Sequence, residues 1–176
     1  MGKNVFNPNK WGVDLLSPTI LRYSTWAAAL CISLFLGIAA FGKMFYPVEK
    51  LKDLDVLTGL FEILFIGFLF RFRMCRAFWL GAAVVFASWG GYAIYWCCLK
   101  LPCSCMGTMI TLPSTYALCL DALFFIGSCT MALLLGALRS VLYLIVLCAF
   151  LGGLIGYAFA EWVFYVKIIG VIWRLS

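Results

Sequence analysis

Residues 23–45 read YSTWAAALCISLFLGIAAFGKMF, and this apolar run is the first indication of the fold class. Its only charged residue is Lys43, close to its end. A helix needs about 20 mostly apolar residues to cross the hydrocarbon core of a bilayer. Similar runs follow at 54–70, 77–98, 115–138 and 141–164. The sequence therefore predicts an all-α integral membrane bundle, with a core of four helices and a fifth transmembrane helix after it.

The composition agrees with this class and narrows the chemistry. Hydrophobic residues make up 66% of the 176 residues and charged residues 11%, whereas a soluble domain has about 25% charged residues. The basic residues lie between the apolar runs, where they contact lipid headgroups rather than nucleic acid. The chain has no histidine, the commonest ligand of haem and zinc. We expect neither a bound metal nor a cofactor.

Three parts of the chain differ in character. Residues 1–22 are polar and are expected to lie along the membrane interface, and we expect them to stay attached to the first span rather than to act as a cleaved signal peptide. Residues 23–138 are expected to form the four-helix membrane domain. Residues 139–176 are expected to form the fifth transmembrane helix, followed by an aromatic and basic tail.

The distribution of lysine and arginine predicts the orientation. Residues 71–76 contain three arginines and no acid, and Arg139 lies between the last two runs. Such segments stay in the cytoplasm. The N-terminus is then also cytoplasmic, and the loop at 46–55 and the loop at 103–105 lie on the periplasmic side. We expect a multi-pass protein of a bacterial inner membrane.

Gly152 and Gly156 lie four residues apart in the fifth run. This spacing allows helices to approach closely in lipid. It is consistent with a docking face for a partner protein or with packing inside the bundle, and we favour packing inside the bundle.

The nine cysteines fall into two groups. Five lie in or beside apolar runs, where a cysteine usually behaves as a small buried hydrophobic residue: Cys31, Cys75, Cys119, Cys129 and Cys148. The other four are concentrated near one predicted helix end: Cys97, Cys98, Cys103 and Cys105.

The motif Cys103-Ser-Cys105 leaves four interpretations open. A thiolate beside the cation of Lys100 would favour disulfide exchange, and a strained disulfide across one residue would be easily reduced. Alternatively, Cys98 and Cys103 form a structural disulfide, or all these thiols stay reduced. Soft metal binding is the fourth interpretation, but the spacing matches no zinc pattern.

Three charged residues are predicted inside the membrane at the depth of these cysteines. They are Glu62, Asp121 and Lys43. A charge in lipid costs a few kcal/mol and normally faces the bundle with a partner. Lys43 is a possible partner for either carboxylate. The carboxylates either carry protons and tune a thiol, or simply hold helices together.

Three short motifs resemble a known family. They are GKMFYP at 42–47, LFEIL at 60–64 and CSCMG at 103–107. In this order they resemble the MauE family of small bacterial membrane proteins, within the DoxX-like group, over residues 23–138. Ser104 and Met106 stand where that family usually has glycine and an aromatic residue.

The resemblance implies a role in maturing periplasmic, disulfide-rich proteins beside a thioredoxin-like partner. It also implies that Cys103 and Cys105 are the redox pair, with Glu62 and Lys43 as buried polar partners. We expect Asp121 to be a further buried partner.

Two hypotheses for the function follow. The first is a membrane component of a thiol–disulfide relay. The second is a non-catalytic accessory subunit that stabilises a larger membrane complex, since the chain has no clear second dithiol. Whether the chain is an enzyme therefore stays open.

Overall fold

Five α-helices and one short β-hairpin make up the part of the chain that the structure describes. The computed structural model describes residues 17–47, 52–106, 110–135 and 138–175, with the backbone alone at 104–106, 110–111, 138–141 and 166–175. The elements in order are α1 (Pro18–Phe45), α2 (Lys52–Phe72), α3 (Arg76–Cys98), β1 (Cys103–Met106), β2 (Ile110–Leu112), α4 (Ser114–Leu134) and α5 (Leu138–Leu175).

Four of these helices are long and apolar enough to cross a membrane: α1, α3, α4 and residues 142–165 of α5. The predicted class, a multi-pass helical membrane protein, is therefore confirmed. Large apolar side chains cover the outside as well as the inside, as on Leu34 and Tyr143, which are 71% and 83% exposed. Helices that are apolar all round are typical of membrane spans.

Helix α2 has 21 residues but is not among those four helices, because Asp53, Asp55, Glu62 and Arg71 lie along it. It nevertheless runs antiparallel to α1 over most of its length. Near one end the rings of Trp26 and Phe70 are 5.6 Å apart, and near the other Lys43 contacts Glu62.

Several helix ends differ from the prediction. Helix α1 begins at Pro18, inside the segment predicted to be interfacial, because Ser17 caps it: the Ser17 hydroxyl accepts from the amide of Ile20 at 3.3 Å. Serine at the N-cap and proline at the first helical position are strong start signals. The rest of that segment, 1–16, lies outside the described residues.

The last helix is longer than its predicted span. Helix α5 continues to Leu175, so the predicted tail after residue 164 has a helical backbone. No proline occurs after residue 138 to end it.

The cysteine motif lies on a strand rather than in a loop. Strand β1 pairs antiparallel with β2, with Cys103 opposite Leu112 and an irregular register before Met106. Pro102 and Pro113 flank the pair, and the residue before a proline is biased away from helix. The hairpin packs against α1 and α4. It covers one end of the bundle, which we call the hairpin end.

An aromatic core joins α2, α3 and α4. The ring of Phe86 lies 6.3 Å from Phe65 and 5.3 Å from Phe124, and all three are buried. Leu36 of α1 belongs to the same cluster. This core holds four helices in register below the hairpin end.

Helix α5 packs against α3 through glycines. A Cβ added to Gly152 would lie 2.7 Å from the Ala87 Cβ, and one added to Gly156 would collide with the carbonyl oxygen of Ser88. Both glycines are buried. The prediction that they pack inside the bundle is therefore confirmed.

The opposite end of the bundle is closed by residues 71–76, which we call the arginine turn. The guanidinium of Arg73 lies 4.1 Å from the ring centre of Trp26, and its Nη1 donates to the carbonyl of Phe70 at 2.6 Å. The indole of Trp79 donates to the Arg73 carbonyl at 2.6 Å. These contacts join α1, α2 and α3.

Candidate functional site: a cavity beside Cys103

A buried ion pair joins the last turn of α1 to the middle of α2. The ammonium group of Lys43 donates to Oε1 of Glu62, and the two residues are 8% and 2% exposed. Gly59 allows this approach, since a Cβ there would lie 3.0 Å from Cγ of Met44 and 3.2 Å from the carbonyl oxygen of Ala40. Of the two carboxylates predicted as possible partners, Lys43 pairs with Glu62.

One oxygen of the ion pair has no hydrogen bond within the described residues. The second oxygen of Glu62, Oε2, is buried and has no hydrogen-bond partner in the described part of the chain. A buried polar atom without a partner costs about 1–3 kcal/mol, and more when it is charged. The Lys43 ammonium also lies 5.8 Å from the ring centre of Trp89, within the range of a cation–π contact.

A small cavity of about 50 Å³ adjoins this pair. A cavity holds a water molecule from about 10–15 Å³ upwards, so this one has room for water. Its lining residues come from α1, α2, α3, α4 and the hairpin: Phe35, Leu36, Ala39, Lys43, Glu62, Trp89, Tyr92, Cys103, Leu112, Ala117 and Asp121. A mostly apolar cavity with three charged side chains in its wall is therefore lined by every described element except α5.

Cys103 forms part of the cavity wall. It is the first residue of β1, is 1% exposed, and packs with Ala93 and Ala117. Cys98, its predicted alternative disulfide partner, is a free and exposed thiol. The structure therefore contains no Cys98–Cys103 disulfide, which was one of the four interpretations of the motif.

Asp121 approaches the cavity from α4. It lies seven residues after Ser114, the first residue of that helix, or about 10 Å along the axis at 1.5 Å per residue. It is 9% exposed, and a Cβ added to Gly90 of α3 would lie 3.8 Å from its own Cβ. Asp121 therefore packs against the face of α3 that carries Gly90.

Four of the five predicted site residues thus surround one cavity: Lys43, Glu62, Cys103 and Asp121. The side chain of the fifth, Cys105, lies outside the described residues, although its backbone belongs to β1.

The five cysteines predicted as buried hydrophobic residues behave unevenly. Cys129 is buried and Cys148 is half-buried, but Cys31, Cys75 and Cys119 are exposed. The prediction is wrong for Cys75 because it is the N-cap residue of α3 in the arginine turn, and for Cys31 and Cys119 because the outer surface of a membrane bundle is also apolar. A small apolar thiol is accommodated there as well as inside.

Trp89 and Tyr92 were not predicted as part of the site, although both line the cavity. They lie three residues apart on α3, which places them on one face of the helix. That spacing is the one sequence signal that indicates a shared wall.

Within the described ranges, no group of three His, Cys, Asp or Glu side chains is arranged to hold a metal ion. No family model, curated protein or solved structure matches the chain. The resemblance to the MauE family therefore stays a prediction based on three motifs.

Fold and site together define a class: a multi-pass helical membrane protein with a small cavity, a buried ion pair and a cysteine at one end of its bundle. Such a cavity can hold a proton, or a water molecule that carries one, next to a thiol.

Proposed function

We propose that the protein is the membrane component of a thiol–disulfide relay, with Cys103 and Cys105 as its redox pair. The observation that supports this proposal is the position of Cys103 on the wall of the cavity that Lys43, Glu62 and Asp121 also line. Buried ionisable residues inside a membrane are costly and usually mark a functional site.

The exchange would use a thioredoxin-like partner on the periplasmic side of a bacterial inner membrane. A thiolate of the pair attacks one sulfur of the partner's disulfide and forms a mixed disulfide. The second thiol of the pair then displaces the partner. In total, two S–H bonds break and one S–S bond forms in this chain, and two electrons reduce the partner's disulfide to a dithiol.

The cavity supplies the acid–base part of this reaction. The thiolate is the attacking form, so a proton has to leave each thiol. Oε2 of Glu62 has no other hydrogen-bond partner among the described residues, and Asp121 lines the same cavity. Either carboxylate, directly or through water, would receive the proton.

The proposed orientation places the arginine turn in the cytoplasm and the hairpin in the periplasm. The basic residues of 71–76 support this orientation. Because α2 lies antiparallel beside α1, we include it as a crossing despite its charges, which makes five crossings. The charged residue in the middle of α2, Glu62, faces the bundle rather than lipid, since it is 2% exposed.

Thiol trapping tests the relay. Membranes are treated with a maleimide reagent, with and without prior reduction, and modification of each cysteine is read by mass spectrometry. We expect Cys103 and Cys105 to change together with the redox state of a thioredoxin-like partner. The matched control is Cys119→Ser, an exposed cysteine on α4, which should leave the cycling unchanged. A double Cys103→Ser/Cys105→Ser variant that supports full activity of the complex would overturn the relay.

Glu62→Gln tests the acid–base step. The substitution keeps the size of the side chain but removes its ability to take a proton, and we expect exchange to slow by about tenfold or more. Asp53→Asn is the control, since Asp53 lies on the same helix but is exposed. Equal rates in both variants would exclude Glu62 as the proton acceptor.

A second candidate function is an accessory subunit without chemistry of its own. The observation that favours it is the exposure of α5, of whose span only 11% is buried, against 28–39% for the three other spans. A large apolar surface suits packing against another membrane subunit. Purification from native membranes with a mild detergent would identify the partners. If Leu147→Lys/Leu154→Lys abolishes that complex while Cys103→Ser/Cys105→Ser leaves it intact, the result would favour this alternative.

A further inference from the structure

An open depression of about 530 Å³ lies between the end of α3 and the start of α4. Cys97 and Lys100 line it from the α3 side, Ser114 and Thr115 line it from the α4 side, and two prolines and a leucine lie between them. Among its described lining residues only Lys100 is charged, and none of them also lines the cavity beside Cys103. The depression is therefore a separate and positively charged part of the hairpin end.

The start of α4 presents two free backbone donors to this depression. The amides of Tyr116 and Ala117 both donate to the carbonyl of Pro113, at 2.9 and 3.3 Å. The amides of Ser114 and Thr115 precede the first closed turn, so the helix itself has no carbonyl for them. Pro113, the N-cap residue, makes no side-chain hydrogen bond to them, and the first turn has no acidic residue. The positive end of the helix dipole therefore has no counter-charge within α4.

The side chain of Ser114 indicates that a ligand completes this helix end. Ser114 is 7% exposed, so more than nine-tenths of it is buried, and it lines the depression. Its hydroxyl makes no hydrogen bond with the described residues. Leaving a buried hydroxyl without a partner is costly, and an acceptor bound in the depression would remove that cost.

Lys100 supplies a cation that the end of α3 does not need. Two main-chain bonds already cap that helix: the amide of Lys100 donates to the carbonyl of Cys97 at 3.0 Å, and the amide of Leu101 to that of Trp96 at 3.1 Å. The Lys100 side chain is exposed and forms no ion pair with the described residues. Its ammonium group is therefore available to an anion in the depression.

The depression lies at the level where lipid head groups meet the hydrocarbon core. It adjoins the ends of two candidate membrane spans, α3 and α4. Leu101 in its wall and the nearby Tyr116 are 41% and 65% exposed, as is typical of side chains at this boundary. The anionic groups concentrated at this level are the phosphates of phospholipids.

We propose that this depression binds a phosphate group through the ammonium of Lys100, the hydroxyl of Ser114 and the amides of Ser114 and Thr115. Free amides and the helix dipole together make a helix N-terminus a phosphate site. The phosphate belongs either to a phospholipid head group or to a soluble phosphate ion. The proposal goes beyond the relay and does not depend on it, because it involves neither the redox pair nor the cavity.

Two labelled probes distinguish the sources. The full-length protein, immobilised in maltoside micelles, is incubated with radiolabelled dioleoylphosphatidylglycerol or with radiolabelled orthophosphate, and the retained label is counted. Retention of the lipid alone assigns the site to a head group, and retention of orthophosphate assigns it to the soluble ion. Unlabelled dioleoylglycerol has the same two chains as the lipid but no phosphate. We expect it to compete at least tenfold more weakly than unlabelled dioleoylphosphatidylglycerol, since one hydrogen bond to a charged group contributes about that factor.

Variants of the wall assign the binding to this depression. Lys100→Gln should weaken binding of the retained probe by about tenfold or more, and Lys100→Arg should preserve it, because the charge is kept. The control is Lys52→Gln, since Lys52 is an exposed lysine at the start of α2, at the same end of the bundle.

Ser114→Ala should weaken binding by about threefold to tenfold. Its control is Ser33→Ala on α1, which removes another hydroxyl without a partner among the described residues. If Ser114→Ala does not fold, the exposed Lys100 variants still make the test.

Two outcomes overturn the proposal. One is equal competition by dioleoylglycerol and dioleoylphosphatidylglycerol together with no retention of orthophosphate. The other is binding by Lys100→Gln as tight as that by Lys52→Gln for every retained probe. Neither outcome bears on the cycling of Cys103 and Cys105, so failure of this proposal is distinguishable from failure of the relay.

Discussion

The hairpin end and the arginine turn both place charged side chains at an end of the bundle, but they treat them in opposite ways. At the arginine turn, Arg71 is exposed and Arg73 is half-buried, with its guanidinium over the ring of Trp26. At the hairpin end, Lys43 and Glu62 are sealed inside, with only 8% and 2% exposed.

Packing alone explains the charges at the arginine turn but not those at the hairpin end. At the arginine turn, Arg71 is exposed. The guanidinium of Arg73 stacks on Trp26 and donates to the Phe70 carbonyl, although its Nε is buried without a hydrogen-bond partner among the described residues. The hairpin end takes two charges out of water and leaves one carboxylate oxygen without a partner among the described residues. A buried ion pair adds little stability compared with apolar residues of the same size. The sealed pair therefore indicates function more strongly than the arginines do.

The largest effect in this comparison is expected for Lys43→Met. Removing the cation leaves the Glu62 carboxylate buried without its counter-charge, which costs about 3–5 kcal/mol of unfolding free energy. Unfolding by SDS titration in mixed micelles would measure the loss.

The double variant Lys43→Met/Glu62→Leu is the control for that experiment. An apolar pair of similar size replaces the ion pair, so we expect stability within about 1 kcal/mol of wild type. If the double variant is as unstable as the single one, the two side chains do not act as a pair, and the contrast between the two ends is lost.

A smaller loss is expected for Gly156→Ala, which affects the α5 side of the hairpin end. The added Cβ would collide with the carbonyl oxygen of Ser88, and overpacking of this kind costs about 1–3 kcal/mol. Gly81→Ala is the control, because Gly81 is on α3 and has no atom within 4 Å of an added Cβ. That variant should gain about 0.5–1 kcal/mol from better helix propensity. Equal effects of the two would mean that α5 does not touch α3 through its glycines.

At the arginine turn, Trp26→Leu removes the ring under Arg73. We expect a loss of about 1 kcal/mol, the size of a cation–π contact near the surface. Trp162→Leu serves for comparison, since Trp162 on α5 is 55% exposed. The same SDS titration applies, and a loss of about 3 kcal/mol or more would show that both ends depend on their charges equally.

The smallest effect is a gain, expected for Lys100→Gly. Lys100 has φ of 55°, the left-handed conformation, at the position after α3 where glycine is usual. Glycine there should stabilise the fold by about 0.5–1 kcal/mol. Lys52→Gly, at the exposed start of α2, removes a cation without this benefit and should not stabilise. A loss at Lys100→Gly would show that the lysine makes a stabilising contact beside the hairpin.

The sequence predicts most of the helices because a membrane span needs only length and apolar composition. It also predicts the gathering of Lys43, Glu62 and Asp121, since a charge in lipid has to face the bundle. The glycine spacing on α5 is informative for a similar reason, because only a close helix contact requires it.

The remaining features depend on contacts that sequence patterns do not encode. Periodicity does not identify the two strands of the hairpin, which have four and three residues. It also does not show that the face of α3 with Trp89 and Tyr92 lines the cavity. A cysteine also does not indicate whether it faces the bundle or the lipid, since both faces of a membrane helix are apolar. Ser17 and Pro18 form a helix-start signal that the sequence does contain. The predicted boundary at residue 22 did not use it.

The burial of Cys103 has a kinetic consequence. With 1% of its surface accessible, its sulfur reacts with a dissolved thiol only during brief openings in which β1 separates from α1 and α4. Its observed reactivity equals the intrinsic rate multiplied by the population of that open state. Small redox buffers are thus slowed in proportion, whereas a protein that binds the open strand would lengthen its lifetime and so gain selective access.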